Sequence, residues 1–463
     1  MNINKEFQLL NGFGENVLLE CSTGRYYRIY DNEVYSHINN YFTYDIRSNM
    51  AEEIVNSIKS NTLRIEERNK IINSKDFIIN RLAIVLTSNC NLRCKYCYAN
   101  FGMYDYEESN IISIDILRNS IEYFSNEFKQ INTIQFFGGE PTLCTDSIKY
   151  VIGKFEELVK LKKINNLPRF SIVTNGLYIS KKLIHILKKY NMIITLSIDG
   201  PKSVNDLTRI DPNNKGSYDR VIHTYNCLKE SGIENIGIEC TYTNEHLKQD
   251  ISLVNIVEFF DKEFGIKVIH VVPVSIEDSN YLSVKNNELK FYKYVEELVD
   301  YTFNQLIGNR LLKSTNIVLG LLQNIITNNI KPDICPAGIG TFSISHDNKI
   351  SPCFMYTSTT DLAYGEVGCD GSYILNKAYE FNNKFNNKNS VDKCKVCFAR
   401  SMCSSCLGVF EVKNNKTKEI SDIYCNMIKI AAKNILLKIS NIKSDKMKWD
   451  EFISLIKGDT IEG

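Results

Sequence analysis

Between residues 82 and 275 the chain alternates six short β-rich runs, LAIVLT, TIQFFGG, FSIVTNG, IITLSID, IGIECTYT and VIHVVPVS, with longer helical segments. Apolar runs bounded by helices read as βαβ units, and such units build a parallel sheet covered by helices. A closed barrel of this kind takes eight units, so six predict an α/β fold in which a partial, TIM-like (β/α)6 barrel is open on one side. The barrel is expected over residues 79–330, including a helical, lysine- and asparagine-rich stretch from about residue 285.

At 463 residues the chain is too long for that unit alone. Before it, ENVLLEC and RYYRIYD alternate around a Ser-Thr-Gly turn and read as a β-hairpin, followed by helical patterns to about residue 75. Residues 1–78 are therefore expected to form a small α+β module. After residue 330 comes a cysteine-rich region, 331–430, and then a C-terminal helix, 431–463, whose lysine-rich pattern starts near residue 426 and reads as a solvated face.

Lys plus Arg number 55 against 54 Asp plus Glu, a net charge of +1. That balance argues against nucleic acid or an anionic membrane as partner and favours a small or peptide ligand. No basic start leads into a long apolar stretch, and no window of about 18 apolar residues occurs, so a cytoplasmic protein is expected. In a reducing compartment, 15 cysteines are more readily metal ligands than disulfides.

Cys90, Cys94 and Cys97, in LTSNCNLRCKYCYAN, follow the first strand as C-x3-C-x2-C. Chance places a cysteine at any fixed offset with a probability of about 0.03, and catalytic residues of barrels sit at the C-terminal ends of strands. Three thiolates are one short of the four that complete a cubane cluster or a tetrahedral zinc site, which leaves a metal coordination position for something else.

The triplet, with aromatic Tyr96 before its last cysteine, resembles the radical S-adenosylmethionine superfamily. The later strand ends are similar to that family's motifs: Gly138-Gly139-Glu140-Pro141, Thr174-Asn175-Gly176, Ser197-Ile198-Asp199-Gly200-Pro201, then Asn205-Asp206 and Arg209. The resemblance implies a catalytic four-iron cluster on Cys90, Cys94 and Cys97. It also implies S-adenosylmethionine held by Tyr96, Gly138, Gly139, Glu140, Asn175, Ser197 and Arg209, Arg209 pairing with the carboxylate. When reduced, the cluster would cleave the sulfonium to methionine and a 5'-deoxyadenosyl radical. Glu239 and Thr241 are weaker candidates for the same wall.

Seven further cysteines, Cys335, Cys353, Cys394, Cys397, Cys403, Cys406 and Cys425, resemble the SPASM extension of peptide- and protein-modifying members, which carries two auxiliary four-iron clusters. By position, Cys394, Cys397, Cys403 and Cys425 would hold the distal cluster, and Cys335, Cys353 and Cys406 the proximal one, making three 4Fe-4S clusters in all. Only Ser404 and Ser405 separate the last two central cysteines where the family has three residues. The proximal set lacks an evident fourth cysteine: an open iron could take a substrate thiolate, or Cys369, a water or a carboxylate could complete it. Two zinc ribbons are the alternative for this region. Cys21, Cys227, Cys240 and Cys144 read as packing residues, and the six histidines show no paired ligand spacing.

The N-terminal NVLLECSTGRYYRIYDNEVYSHI resembles the winged-helix-like recognition element of maturases that act on ribosomally made peptides, which binds a leader segment as an added strand. Together these resemblances imply a sactipeptide- or ranthipeptide-type thioether-forming enzyme: a precursor peptide as partner, cysteine sulfur joined to carbon, and a flavodoxin or ferredoxin as reductant. Carbon–carbon crosslinking, epimerisation and anaerobic sulfatase maturation are the enzymatic alternatives. Sulfatase maturases usually carry an Asp after the cysteine matching Cys353, and here that residue is Phe354. A zinc-stabilised peptide-binding scaffold is the non-catalytic alternative.

Overall fold

The computed structural model describes residues 6–60, 73–308, 312–330, 332–357, 359–409, 412–413, 416–417 and 422–459. Part of the helical pattern expected before residue 75, at 61–72, lies outside the described residues.

The N-terminal hairpin gains a strand that the sequence reading missed. Phe7–Gly12 (β1), Glu15–Glu20 (β2) and Tyr26–Arg28 (β3) form an antiparallel sheet in the order β1-β2-β3. The β1–β2 loop is Phe13-Gly14 with φ of 49° and 75°. Positive φ at both positions is what a two-residue hairpin demands, so FQLLNG-FG-ENVLLE carried the signal. Helices Asn32–Tyr44 (α1) and Asn49–Ser60 (α2) follow, α1 being capped by Asp31, whose side chain accepts from the Glu33 and Val34 amides. Alternation splits β2 between two cores: Leu18 joins Phe7, Ile38, Phe42 and Val55, while Val17 and Leu19 face the main body.

All six predicted runs are strands: Arg81–Val85 (β4), Thr133–Phe137 (β5), Arg169–Thr174 (β6), Ile193–Ser197 (β7), Ile236–Tyr242 (β8) and Val268–Pro273 (β9). The sheet is larger than six. Ser314–Thr315 (β10) adds beside β9, and Thr341–Ile344 (β11), Lys349–Ser351 (β12) and Gly365–Glu366 (β13) add beyond β4, giving the open order β10-β9-β8-β7-β6-β5-β4-β11-β12-β13. The strands from β10 to β11 run parallel, while β12 and β13 pair antiparallel. The sheet thus continues past residue 330, where the barrel was expected to end.

Period-two alternation separates the two faces of the sheet. Leu82, Ile84, Ile134, Phe136, Ile172, Ile194 and Leu196 are buried in the main core with Leu117, Phe124, Ile148 and Phe155 of the intervening helices. The opposite face carries Gln135, Ser171, Thr195, Ser197, Glu239 and Thr241. Burying one face under helices leaves the other face and the strand ends for chemistry.

The C-terminal region differs most from expectation. Two helices stand where one was expected, Lys446–Asp459 and, before it, Asp422–Lys443, a helix on which Met427, Ala431, Ala432, Ile435, Leu436 and Ile439 are buried. It packs against helices Glu288–Ile307 and Asn316–Ile326 and against β1 and β2. Its lysines cover the outer side of a core helix. Among the described residues, no helix is long and apolar enough to cross a membrane.

Candidate functional site

The three cysteines of the first set lie in the loop that leaves β4, and the loop after β5 locks onto it. The Gly139 amide donates to Thr87 O at 2.7 Å and the Glu140 amide to Asn89 O at 2.9 Å. A Cβ on Gly138 would stand 2.6 Å from Thr87 O, and one on Gly139 would stand 2.3 Å from Asn89 O. Glycine is required here for contact between the two loops, a role the motif reading had given to cofactor approach.

Glu140 is 1% exposed. Its Oε1 accepts from the Thr142 amide (3.0 Å), Thr142 Oγ1 (2.7 Å) and Thr174 Oγ1 (2.7 Å), and its Oε2 accepts from the Asn175 amide (2.8 Å). Burial pushes the carboxyl upward from its ordinary value against these four bonds, which favour the anion. Glu140 therefore ties the ends of β5 and β6 together, and Asn175 carries the tie to the first cysteines. Asn175 Nδ2 donates to Asn91 Oδ1 at 2.7 Å and reaches Cys90 Sγ at 3.7 Å.

Tyr96 joins the loop to the far side of the site. Its hydroxyl donates to Asp199 Oδ2 (2.7 Å) and accepts from the Arg209 guanidinium (2.8 Å). Asp199, which the sequence reading left out of the site, also accepts from Thr208 Oγ1 (3.1 Å) and the Thr241 amide (3.1 Å). Burial opposes the Arg209 charge, but Tyr96, Cys94 and Asp199 outweigh it and hold the guanidinium protonated. Ser197 ends β7 in register with Glu239.

His246 supports this hub from behind. Fully buried, it accepts the Thr243 amide at Nδ1 (3.0 Å), so Nε2 carries the hydrogen donated to Asp199 O (2.7 Å). Burial holds its pKa below the ordinary 6.5 although the Nε2–H bond to Asp199 O acts the other way. The folded state therefore keeps a neutral ring, whereas the unfolded chain takes up a proton below about pH 6.5. This contribution to stability is complete above that pH and is lost as pH falls from there through the depressed folded value, with a slope of up to about 1.4 kcal/mol per pH unit. Urea unfolding midpoints measured from pH 7 to pH 5 should fall more steeply for the parent than for H246Q.

The first set's donors suit a thiolate-bound cluster. Backbone amides of Leu92 and Phe101 point at Cys90 Sγ (3.4 Å) and Cys97 Sγ (3.2 Å). Burial raises the Cys90 thiol to about 11 and the Cys94 thiol to about 12, so a metal has to replace the proton. Among the described residues, no three His, Cys, Asp or Glu side chains form a group that could hold one metal ion.

The second cysteine region resolves into two groups. Cys394, Cys397, Cys403 and Cys425 line one pocket with Lys388, Arg400 and Tyr424. Cys335, Cys353 and Cys406 form the other: burial raises Cys335 to about 12 and drives Cys353 higher, and in each Cys406 adds to the effect. The Ala337 amide points at Cys335 Sγ (3.4 Å). Cys369 lies beside Gly365 and acts on Tyr123.

Aromatic side chains lie between the first set and this three-cysteine group. Tyr98 and Tyr104 meet edge to face at 6.2 Å. Tyr104 is 6% exposed and burial raises its phenol, whereas Tyr98 is 46% exposed; both rings lie near the thiols of Cys97 and Cys353. Phe354 stacks on Phe137 at 4.0 Å, directly before the Gly138-Gly139 turn. Cys144 is buried in the main core.

Residues 84–254 match the Radical SAM superfamily. The chain is 27% identical over 359 residues to a cysteine-type anaerobic sulfatase-maturating enzyme of Clostridium novyi, covering 74% of this chain and 91% of that one. It is 25% identical over 463 residues to the radical SAM cyclopropyl synthase TigE of Paramaledivibacter caminithermalis, covering 95% and 90%. The solved structure of native anSMEcpe with bound AdoMet and the Cp18Cys peptide shares the fold, with a TM-score of 0.63 and 23% identity, over 79% of this chain and 99% of that one.

Proposed function

We propose that this chain, a radical SAM enzyme over residues 84–254, joins a cysteine sulfur to carbon within a ribosomally made precursor peptide. The observation that carries this reading is the three-cysteine group of Cys335, Cys353 and Cys406, near Tyr104, against which Cys97 of the first set and Phe354 pack. A cluster held there by three thiolates keeps a position for a substrate sulfur. Cys90, Cys94 and Cys97 would hold a four-iron cluster, which together with S-adenosylmethionine would supply the radical chemistry at the acceptor carbon. Arg209 is placed to orient a carboxylate, and Tyr96 and Asp199 hold Arg209 in place.

The N-terminal module is the proposed leader site. β1 is an edge strand, and Phe7, Gln8, Leu9 and Asn11 on it face Asn39, Phe42 and Thr43 of α1 across an open groove. An edge strand beside a helix suits an extended peptide that adds as a strand. The distal cluster is proposed on Cys394, Cys397, Cys403 and Cys425, with flavodoxin or ferredoxin as the electron donor.

Two specific observations favour other readings. The similarity to TigE, a cyclopropyl synthase, extends over the N-terminal module and favours carbon–carbon bond formation. The similarity to the cysteine-type sulfatase-maturating enzyme favours maturation of a sulfatase. Against the latter, the position after Cys353 is an aromatic stacked on Phe137, with no carboxylate to act as base.

The test is mass spectrometry of a cysteine-rich peptide encoded beside this gene, incubated anaerobically with reconstituted enzyme, S-adenosylmethionine and reductant. Loss of two hydrogens per reacting cysteine, with those thiols closed to alkylation, is the expected result. The same loss with every thiol still alkylated would indicate a carbon–carbon bond. An unmodified peptide despite release of 5'-deoxyadenosine would rule out this substrate.

A further inference from the structure

One buried cation stands in the wall of the four-cysteine pocket. Lys388 is 3% exposed. Its Nζ donates to Arg400 O at 2.7 Å and Cys403 O at 2.5 Å, and its own amide donates to Pro332 O at 2.9 Å. The two carbonyls belong to the turn that carries Cys397 and Cys403. They satisfy hydrogens of the ammonium without cancelling its charge, and a buried ammonium is costly unless an anion faces it. Burial acts first on Lys388 and lowers its pKa, and Cys403, Cys394, Asp333 and Cys397 act against it in that order. Three of the four are cysteines of the pocket.

We propose that Lys388 is the buried counter-charge of this pocket, a positioning residue that offsets the negative charge of an iron-sulfur group on Cys394, Cys397, Cys403 and Cys425 and so eases its reduction. The inference rests on the distal-cluster reading above. The step concerned is the uptake of one electron from a one-electron carrier of the flavodoxin or ferredoxin class: the carrier is oxidised, the group is reduced, and no bond forms or breaks. Each electron taken up adds one negative charge to a group that four thiolates already make anionic. A fixed cation in its wall stabilises the reduced form more than the oxidised one, and net charge around a cluster is among the determinants of its potential. Asp333 works in the opposite sense, since it screens Lys388 from the cysteines.

The test is a redox titration followed by electron paramagnetic resonance on the anaerobically reconstituted full chain, with iron and sulfide counted in each variant. C394A/C425A identifies the distal signal and should lose about four irons per chain. If it keeps the parent's iron, the cluster reading of the pocket fails, and the proposal fails with it. With that loss established, K388M should shift the distal midpoint to more negative potential, K388R should return it toward the parent, and D333N should leave it unchanged or move it the other way. If K388M instead loses the distal irons, their retention in K388R supports the charge and their loss in K388R overturns it in favour of packing. A parent-like midpoint in iron-replete K388M, or a shift of the same sign in K388M and D333N, overturns the proposal.

Discussion

Replacing Cys94 with alanine should remove about four irons per chain from the reconstituted protein and lower S-adenosylmethionine cleavage by at least about 1000-fold, with the fold intact. The size of the effect follows from comparison with Asn175. That side chain touches Cys90 Sγ only at 3.7 Å and is otherwise held by Asn91. Partners of metal ligands are typically worth about 10–100-fold, so N175A should fall in that range and a ligand itself should exceed it. The loop has its own fastenings apart from any metal. The Arg93 amide donates to Ile210 O at 2.6 Å and the Lys95 amide to Thr208 O at 2.9 Å, on either side of Cys94. Circular dichroism of C94A should therefore match the parent while iron, sulfide and 5'-deoxyadenosine all drop. Parent-like iron in C94A would mean that the first set does not hold the cluster.

The parts of this arrangement that could be read from sequence are those whose signal is local. β4 to β9 are apolar runs punctuated by helices, and the first cysteine set is three residues at close spacing. β11 and β12 gave no such signal, because TFSI and KIS are short, rich in serine and flanked by cysteines. What makes them strands is the hairpin turn at Asn348, with φ of 63°, and the parallel pairing of β11 with β4, residues far apart in the chain. The C-terminal helix was read from its lysines, whereas its fate is set by Ala431, Ile435 and Ile439, which meet partners from both ends of the sequence.

Site residues divide in the same way. The later cysteines were grouped by the resemblance to the SPASM extension, and the four it assigns to the distal set line one pocket. Asp199 was visible only as part of a Ser-Ile-Asp-Gly-Pro string; its place at the hub depends on Tyr96, 103 positions away. Lys388 looked like one more lysine in an asparagine- and lysine-rich stretch, and Phe354 mattered at first only for the Asp it is not. A contact such as Phe137 on Phe354 is created by tertiary packing and leaves no pattern in either segment.

Glu140 offers the second large effect, and it separates a cofactor contact from a structural one. E140A deletes the acceptor for two backbone amides and two hydroxyls in a fully buried site, and each buried amide left unsatisfied costs about 1–3 kcal/mol. E140Q is the sharper probe. Each carboxylate oxygen accepts a backbone amide, Oε1 from Thr142 and Oε2 from Asn175. Those donors do not rotate, so either orientation of the glutamine amide sets its NH2 against one of them. The expected cost is about 1–3 kcal/mol for one buried hydrogen bond left unmade. Urea unfolding of the protein without S-adenosylmethionine should thus order the variants as parent, E140Q, E140A. If Glu140 served only the cofactor, all three would unfold at the same urea concentration, and the differences would emerge only when S-adenosylmethionine is bound. Because the carboxylate instead clamps the ends of β5 and β6 behind the first cysteine loop, the loss should be present in the unliganded enzyme.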